Sequence, residues 1–333
     1  MTQNSKSKVI IFTECLSSTG LGHLGRCTAL AEIFQEMDQN VEIVLHTDGT
    51  TLTEDSGIPI RVLNWKDSKI LSDFLSVEDF QIAFVDSYLA DINVYEAISK
   101  KTKKIICVDD TNRIQYPERA VILNPGLGGK YLDYDKDRYQ ILTGVEYILL
   151  RRPFRKEIFP TSVKEKINSI LITVGGEDRW NIVPNILNVL RKKKHSWIKE
   201  VIIGPSFLNQ EVIEQVDDRN IRMHSGLNAG QIKDLMLSVD FAITAGGQTT
   251  YELAYCGTPM VIVKLAENQN GNVQGFSELG VPAVSGYLSN ENLFEQLVEI
   301  LSEFELAEQR RIQREKFIRI FSYKSSVWQE LIL

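Results

Sequence analysis

Several common functional signatures are missing from this chain, and each absence narrows what it can be. No Gly-Lys-Ser/Thr follows any of its glycine-rich turns, so it has no P-loop. The four cysteines (Cys15, Cys27, Cys107 and Cys256) stand far apart, mostly in apolar segments and without a Cys-x-x-Cys pair. Reduced, buried thiols are expected, not a disulfide framework. The four histidines share no ligand spacing with one another or with cysteine, so no zinc site is expected. No apolar run approaches the ~20 residues that span a bilayer, and the start, Met1 to Lys8, is polar. A cytoplasmic protein without a transmembrane segment is the expectation. Positive charge is also in deficit: 37 Lys and Arg against 44 Asp and Glu leave a net charge of −7. That balance argues against nucleic acid or an anionic membrane as a partner.

What is present is an alternation of short apolar runs and amphipathic stretches over 333 residues, a length suited to two domains. The first half offers strands at Val9–Glu14, Val41–His46, Ile60–Trp65, Ile82–Ser87, Ile105–Asp110 and Ala120–Asn124. Between the first two, Leu24, Cys27, Leu30, Ala31 and Phe34 share one face of a helix predicted over Leu24–Met37. The second half repeats the plan with Ile170–Val174, Val201–Gly204, Ile221–His224, Phe241–Thr244, Met260–Val263 and Ala283–Ser285. Continuous apolar runs, in place of strict alternation, indicate strands covered on both faces, as in parallel sheets. The fold class expected is α/β, with two Rossmann-like domains facing a cleft. The expected boundaries are 1–152, 153–304, and a charged helical segment 305–333 packing back on the first domain.

The most informative stretch is Val239 to Gln269. An apolar strand runs into Gly246-Gly247-Gln248-Thr249-Thr250, which opens a helix carrying Glu252. A helix N-terminus presents unpaired N–H groups and positive dipole, which suits a phosphate, and glycines let the backbone approach it. Glu252 could hold a ribose diol, and Asn268-Gln269 follow the next strand. Gly175-Gly176-Glu177-Asp178, with Asn181, forms a second loop of this kind. In the first half, Gly20 and Gly22 permit a tight turn ahead of His23 at a helix start, with Arg26 one turn on. The positive end of a helix disfavours imidazolium, so a neutral His23 could serve as a base. Asp86-Ser87-Tyr88 and Asp109-Asp110-Thr111-Asn112-Arg113 end strands, where carboxylates could orient the histidine or hold sugar hydroxyls. His46 and His224 also end strands, and His224 could border a base. His195 lies in a basic run read as a solvated helix face. Adjacent Asp109 and Asp110 point apart if still in a strand, which disfavours a shared metal.

Taken in order, these motifs resemble a family. They are Gly20-x-Gly22-His23-x-x-Arg26, Asp86-Ser87-Tyr88, Asp109-Asp110, Gly175-Gly176-x-Asp178-x-x-Asn181, Gly246-Gly247-Gln248-Thr249-Thr250-Tyr251-Glu252-Leu253-Ala254 and Asn268-Gln269. The chain looks like the UDP-sugar hydrolases of pseudaminic acid biosynthesis and the related spore-coat polysaccharide proteins. Both are similar to the peptidoglycan N-acetylglucosaminyltransferase, which has the GT-B fold. The resemblance spans roughly Val9 to Leu279. It implies a nucleotide-sugar substrate, His23 as the base that activates water, UDP held by the second-domain loops, and Asp86 and Tyr88 lining the sugar site. By their positions at strand ends and the first turn, Asp86 and Asp110 are also candidates for the chemistry, and Gly20, Gly22, Arg26, Arg113 and Asn124 join Tyr88 as candidates for holding substrate. No cofactor or metal is implied. Water as nucleophile gives a hydrolase, a sugar hydroxyl gives a glycosyltransferase, and a binding protein without catalysis is the third option.

Overall fold

The computed structural model describes residues 8–50, 57–158, 162–192, 196–285 and 293–332. The expectations for residues 1–7 and for His195 concern positions outside this set. The chain forms two units, one running to Arg152 and resuming at Tyr323, the other spanning Pro153–Ser322.

The first unit contains β1 (Lys8–Cys15), α1 (Gly22–Glu36), β2 (Asn40–Thr47), β3 (Ile60–Val62), α2 (Ser68–Val77), β4 (Ile82–Asp86), α3 (Ile92–Lys101), β5 (Lys104–Val108), β6 (Val121–Asn124) and β7 (Gln140–Thr143). Its seven strands are all parallel, in the order β3-β2-β1-β4-β5-β6-β7. Side chains alternate across a strand, and β1 uses both faces. Val9 and Ile11 join α1 residues Leu24, Cys27, Leu30 and Phe34 in one core. Ile10 and Phe12 join Trp65, Leu71, Phe74 and Tyr95 in another. Burial on both sides is why the strand reads as one apolar run. Strand β7 escaped the sequence reading because Gln140–Thr143 is a half-exposed edge strand in a charged segment. Ile60–Trp65 is shorter than expected: the chain leaves the sheet after Val62, and the Trp65 indole donates to the Thr13 carbonyl at 2.9 Å.

The second unit contains β8 (Ser169–Thr173), α4 (Ile182–Lys192), β9 (Ile198–Ile203), α5 (Gln210–Glu214), β10 (Ile221–Ser225), α6 (Ala229–Ser238), β11 (Phe241–Ala245), α7 (Thr249–Tyr255), β12 (Met260–Lys264), α8 (Asn270–Glu278), β13 (Ala283–Ser285), α9 (Leu293–Phe304) and α10 (Ala307–Ile320). Its six parallel strands take the order β10-β9-β8-β11-β12-β13, the pattern of the first sheet less one strand. In each sheet the order reverses beside the first strand, at β1/β4 and β8/β11. Loops leaving those carboxyl ends therefore border a crevice suited to a ligand.

The expectation that 305–333 returns as a block to the first domain differs from the structure. Helix α10 is tied to the second unit by side chains that bond to backbone. Gln313 pairs with both the N–H and the C=O of Met260, Arg314 donates to the Gly257 carbonyl and Arg310 to that of Lys164. Only the stretch from Tyr323 belongs to the first unit, where α11 (Ser326–Gln329) buries Trp328 in the α1 core, edge-on to Tyr147. Among the described residues no helix is long and apolar enough to cross a membrane. Trp328→Ala should lower the stability of the first unit by about 3–5 kcal/mol, read as a shift in the urea midpoint. An unchanged midpoint would show that α11 contributes nothing to this core.

Candidate functional site

The first unit brings five of the sequence-predicted residues into one network at the β1/β4 reversal. Asp86 closes β4 with no exposed surface, while His23 and Arg26 lie one turn apart on α1. His23 Nδ1 lies 2.7 Å from Asp86 Oδ1. Arg26 clamps the same carboxylate with Nε to Oδ2 and a terminal nitrogen to Oδ1, both at 2.6 Å. Its other terminal nitrogen donates to Asp110 Oδ2 at 2.6 Å, an oxygen that also accepts the Tyr88 hydroxyl at 2.8 Å. The Cys27 thiol adds a weak contact to Asp86 at 3.3 Å. Burial opposes ionisation of Asp86, but the Arg26 guanidinium, His23 and their hydrogen bonds outweigh it and hold the carboxyl well below its ordinary range. An ionised carboxylate only accepts, so Nδ1 of a neutral His23 carries the hydrogen and Nε2 keeps its lone pair. The Tyr88 ring stands edge-on to His23, centroids 4.3 Å apart. Burial first, then the Asp110 charge, push the Tyr88 hydroxyl up, so it remains a donor.

Gly20 is the residue this turn requires: its φ of 72° lies in the left-handed region, and its amide closes the turn onto the Leu16 carbonyl. Gly22 opens α1 with free space around it, so no steric demand fixes that position. Arg113 and Asn124 stand apart from the histidine network. Arg113 donates to the Ala90 carbonyl at 2.6 Å, and Asn124 to the Tyr134 hydroxyl at 3.3 Å. The two adjacent acids lie just past the end of β5 at Val108, not within the strand, and take different partners. Asp109 is buried with its Oδ1 on the Thr111 amide, while Asp110 faces Arg26 and Tyr88. Among the described residues no three His, Cys, Asp or Glu side chains converge as a metal ion would need. Sequence reasoning missed Glu14, which is fully buried at the end of β1 and bonded to Ser87, the Tyr88 amide and Lys66. An acid inside an apolar strand was the available signal.

In the second unit the two loops sit at the β8/β11 reversal. Gly175 (φ 93°) has open space around it, and Gly204 holds the neighbouring turn so closely against the Gly175 and Gly176 carbonyls that no Cβ would fit. Asp178 is spent within this structure: Oδ1 accepts the Ile182 amide at 2.7 Å, and Oδ2 accepts Val183 at 3.0 Å and the Asn209 side chain at 2.8 Å. It caps α4, and Asn181, also bonded to Asn209, completes the turn at a φ of 51°. At the other loop, Gly246 lets α8 approach, because a Cβ there would lie 2.7 Å from Val273. Gln269 accepts the Leu265 amide at 2.8 Å, and Thr250 turns inward, donating to the Gly247 carbonyl at 2.6 Å. Asn272, not singled out from sequence, donates to the Gly246 carbonyl at 2.7 Å and to the Thr250 hydroxyl at 2.9 Å. Gly247, with open space where a side chain would stand, and half-buried Gln248 and Thr249 form the accessible part; Asn268 is exposed and Glu252 is buried in α7.

No protein-family model matches the chain. It is 26% identical over 276 residues to the Helicobacter pylori pseudaminic acid cytidylyltransferase and UDP-2,4-diacetamido-2,4,6-trideoxy-beta-L-altropyranose hydrolase, covering 82% of this chain and 47% of that one. It is 23% identical over 319 residues to the Bacillus subtilis spore coat polysaccharide biosynthesis protein SpsG, covering 89% of each. The chain thus spans about half the length of the H. pylori protein. Among solved structures, spinosyn rhamnosyltransferase SpnG aligns with a TM-score of 0.65 at 11% identity, over 98% of this chain and 99% of that one. Anabaena HepE, solved with UDP and glucose, aligns with a TM-score of 0.60 at 10% identity, over 98% of each. The chain has two parallel-sheet α/β domains, its structural neighbours are GT-B glycosyltransferases, and its sequence is similar to the pseudaminic acid pathway hydrolase and to the spore coat protein.

Proposed function

We propose that this chain hydrolyses a UDP-linked sugar, releasing the free sugar and UDP, in the biosynthesis of a nonulosonic acid or a surface polysaccharide. The observation that carries the reading is the His23–Asp86–Arg26 arrangement at the β1/β4 reversal, in a chain similar to a UDP-sugar hydrolase. In this mechanism a water oxygen attacks the anomeric carbon as the bond to the diphosphate oxygen breaks. His23 Nε2 takes the proton of the attacking water, and the bonding electrons leave on the diphosphate. Asp86 holds the imidazole by Nδ1 and stabilises the imidazolium that forms, as the acid does in a Ser-His-Asp triad. Arg26 keeps Asp86 ionised. Tyr88 and Asp110 flank the base on the sugar side. The diphosphate is assigned to the amides around Gly247, Gln248 and Thr249 and to the neighbouring Gly175-Gly176 loop, and the ribose to Glu252. Asp178, Asn181, Thr250 and Gln269 hold these loops in shape.

A sugar hydroxyl in place of water turns the same residues to glycosyl transfer, the activity of fold neighbours such as the spinosyn rhamnosyl- and forosaminyltransferases. A panel of UDP-, CMP- and CDP-sugars incubated with and without hydroxyl acceptors separates the two. Nucleotide release that needs no acceptor is expected, and release only with acceptor would replace hydrolysis by transfer.

His23→Asn should lower kcat by ~10²–10⁴-fold, the usual worth of a general base, while the rise in Tm on adding UDP persists. Turnover within a few-fold of wild type would remove His23 from the chemistry. UDP at a hundred times its Kd should stabilise the native protein by about 2.7 kcal/mol, and Glu252→Gln should abolish most of the Tm shift. Equal shifts in the two proteins would rule out Glu252 as the nucleotide contact.

A further inference from the structure

Glu14 is an acid in a place that excludes water. Every residue from Val9 to Cys15 is buried, and the Glu14 side chain has no exposed surface. A carboxylate there persists only if its oxygens are satisfied, and the identity of its partners is informative. Lys66 donates to Oε2 at 2.9 Å, the Ser87 hydroxyl donates to the same oxygen at 2.6 Å, and the Tyr88 amide donates to Oε1 at 3.1 Å. Two of the three donors therefore belong to the turn that leaves β4 immediately after Asp86. The Ser87 oxygen in turn accepts the amides of Leu89 at 3.0 Å and Ala90 at 2.9 Å. Arg113 closes the far side by donating to the Ala90 carbonyl. The backbone from Ser87 to Ala90 is thus suspended from Glu14. That backbone carries Tyr88, whose ring stands against His23 and whose hydroxyl meets Asp110.

Strand alternation explains the arrangement. Thr13 lies opposite Asp86 in the β1–β4 register, and Glu14, one residue on, projects to the other face of the sheet. Asp86 holds the imidazole directly, and Glu14 holds the tyrosine that flanks it. We infer that Glu14, neutralised by Lys66, is a positioning residue for the His23–Tyr88 pair, acting through the Ser87–Ala90 turn. The inference rests on the hydrolase reading for its kinetic consequence but not for its geometric one. Misplacement by an ångström can cost about 100-fold in rate, so a buried anchor that holds the residue packed against the base matters to turnover.

The test uses Glu14→Gln in the full chain. Its amide has one accepting oxygen in place of two, so either the Lys66 and Ser87 donors or the Tyr88 amide loses its acceptor. The first readout is independent of activity: the His23 ring signals in the NMR spectrum of protein labelled at histidine nitrogen, assigned with His23→Asn. They are expected to move in Glu14→Gln, because the edge-on Tyr88 ring shifts relative to the imidazole. The second is kinetic, with kcat falling about 10–100-fold while the UDP-induced Tm shift is unchanged. Combining Glu14→Gln with Tyr88→Leu should add little to the loss caused by Tyr88→Leu alone. Should Glu14→Gln fail to fold, Ser87→Ala removes the hydroxyl link and should act in the same direction. Unmoved His23 signals in a folded variant overturn the inference whatever the enzyme's reaction. Moved signals with no turnover of any nucleotide-sugar by wild type would leave the geometry standing and sink the hydrolase reading instead. Fully multiplicative losses in the double variant would also overturn it, since Glu14 would then not act through Tyr88.

Discussion

A carboxylate with no access to water must find donors within the protein or give up its charge, and Asp86 finds four. His23, both sides of the Arg26 guanidinium and the Cys27 thiol converge on two oxygens, three of the contacts between 2.6 and 2.7 Å. Removing one partner of such a buried set typically costs roughly 3–5 kcal/mol, because the remaining charge is stranded. The requirement dictates much around it. Helix α1 must begin close enough to β4 for residues one turn apart to meet the same carboxylate, so the turn between β1 and α1 is short and passes through Gly20 with positive φ. Arg26, once committed, also draws in Asp110 and through it Tyr88.

The parallel sheet makes this arrangement possible. Parallel strands need crossovers over the faces, so every strand delivers its carboxyl end to the same side. Where the strand order reverses, the two neighbouring loops leave in opposite directions and cannot fill the space between them. Both units build on that geometry, with different content. The first unit fills its reversal with ionisable side chains: two acids, a guanidinium and an imidazole. The second fills its own with glycines and amide side chains that satisfy one another. Asp178 caps α4, Asn209 joins it to Asn181, and Asn272 ties Gly246 to Thr250. Such loops are held in shape by hydrogen bonds of their own.

This division of labour changes the meaning of several motif residues. Gly246 serves the approach of α8, and Gly247 presents open backbone. Thr250 and Gln269 bond inward, while Thr249 and Gln248 remain half-buried at the start of α7. A motif in sequence therefore contains both residues left partly open, Gly247, Gln248 and Thr249, and residues that keep the loop in place.

Local chemistry alone determined a good part of this protein. Apolar runs such as Val9–Phe12 and Met260–Val263 read as strands covered on both faces, which is what they form, and the strand ends made the candidate polar residues visible. The His23, Asp86 and Gly246–Glu252 motifs were legible because spacing along a helix or past a strand end is a property of the chain itself. Pairing across the fold was not. That Asp86 takes His23 and Arg26 at once and that Glu14 holds the Tyr88 turn both depend on strand order, which brings residues some 60 to 75 positions apart into contact. The edge strand β7 and the attachment of α10 to the second unit were equally beyond it. Strand order and helix attachment come from long-range packing. A sequence records which side chains need partners, and the tertiary structure decides which partners they receive.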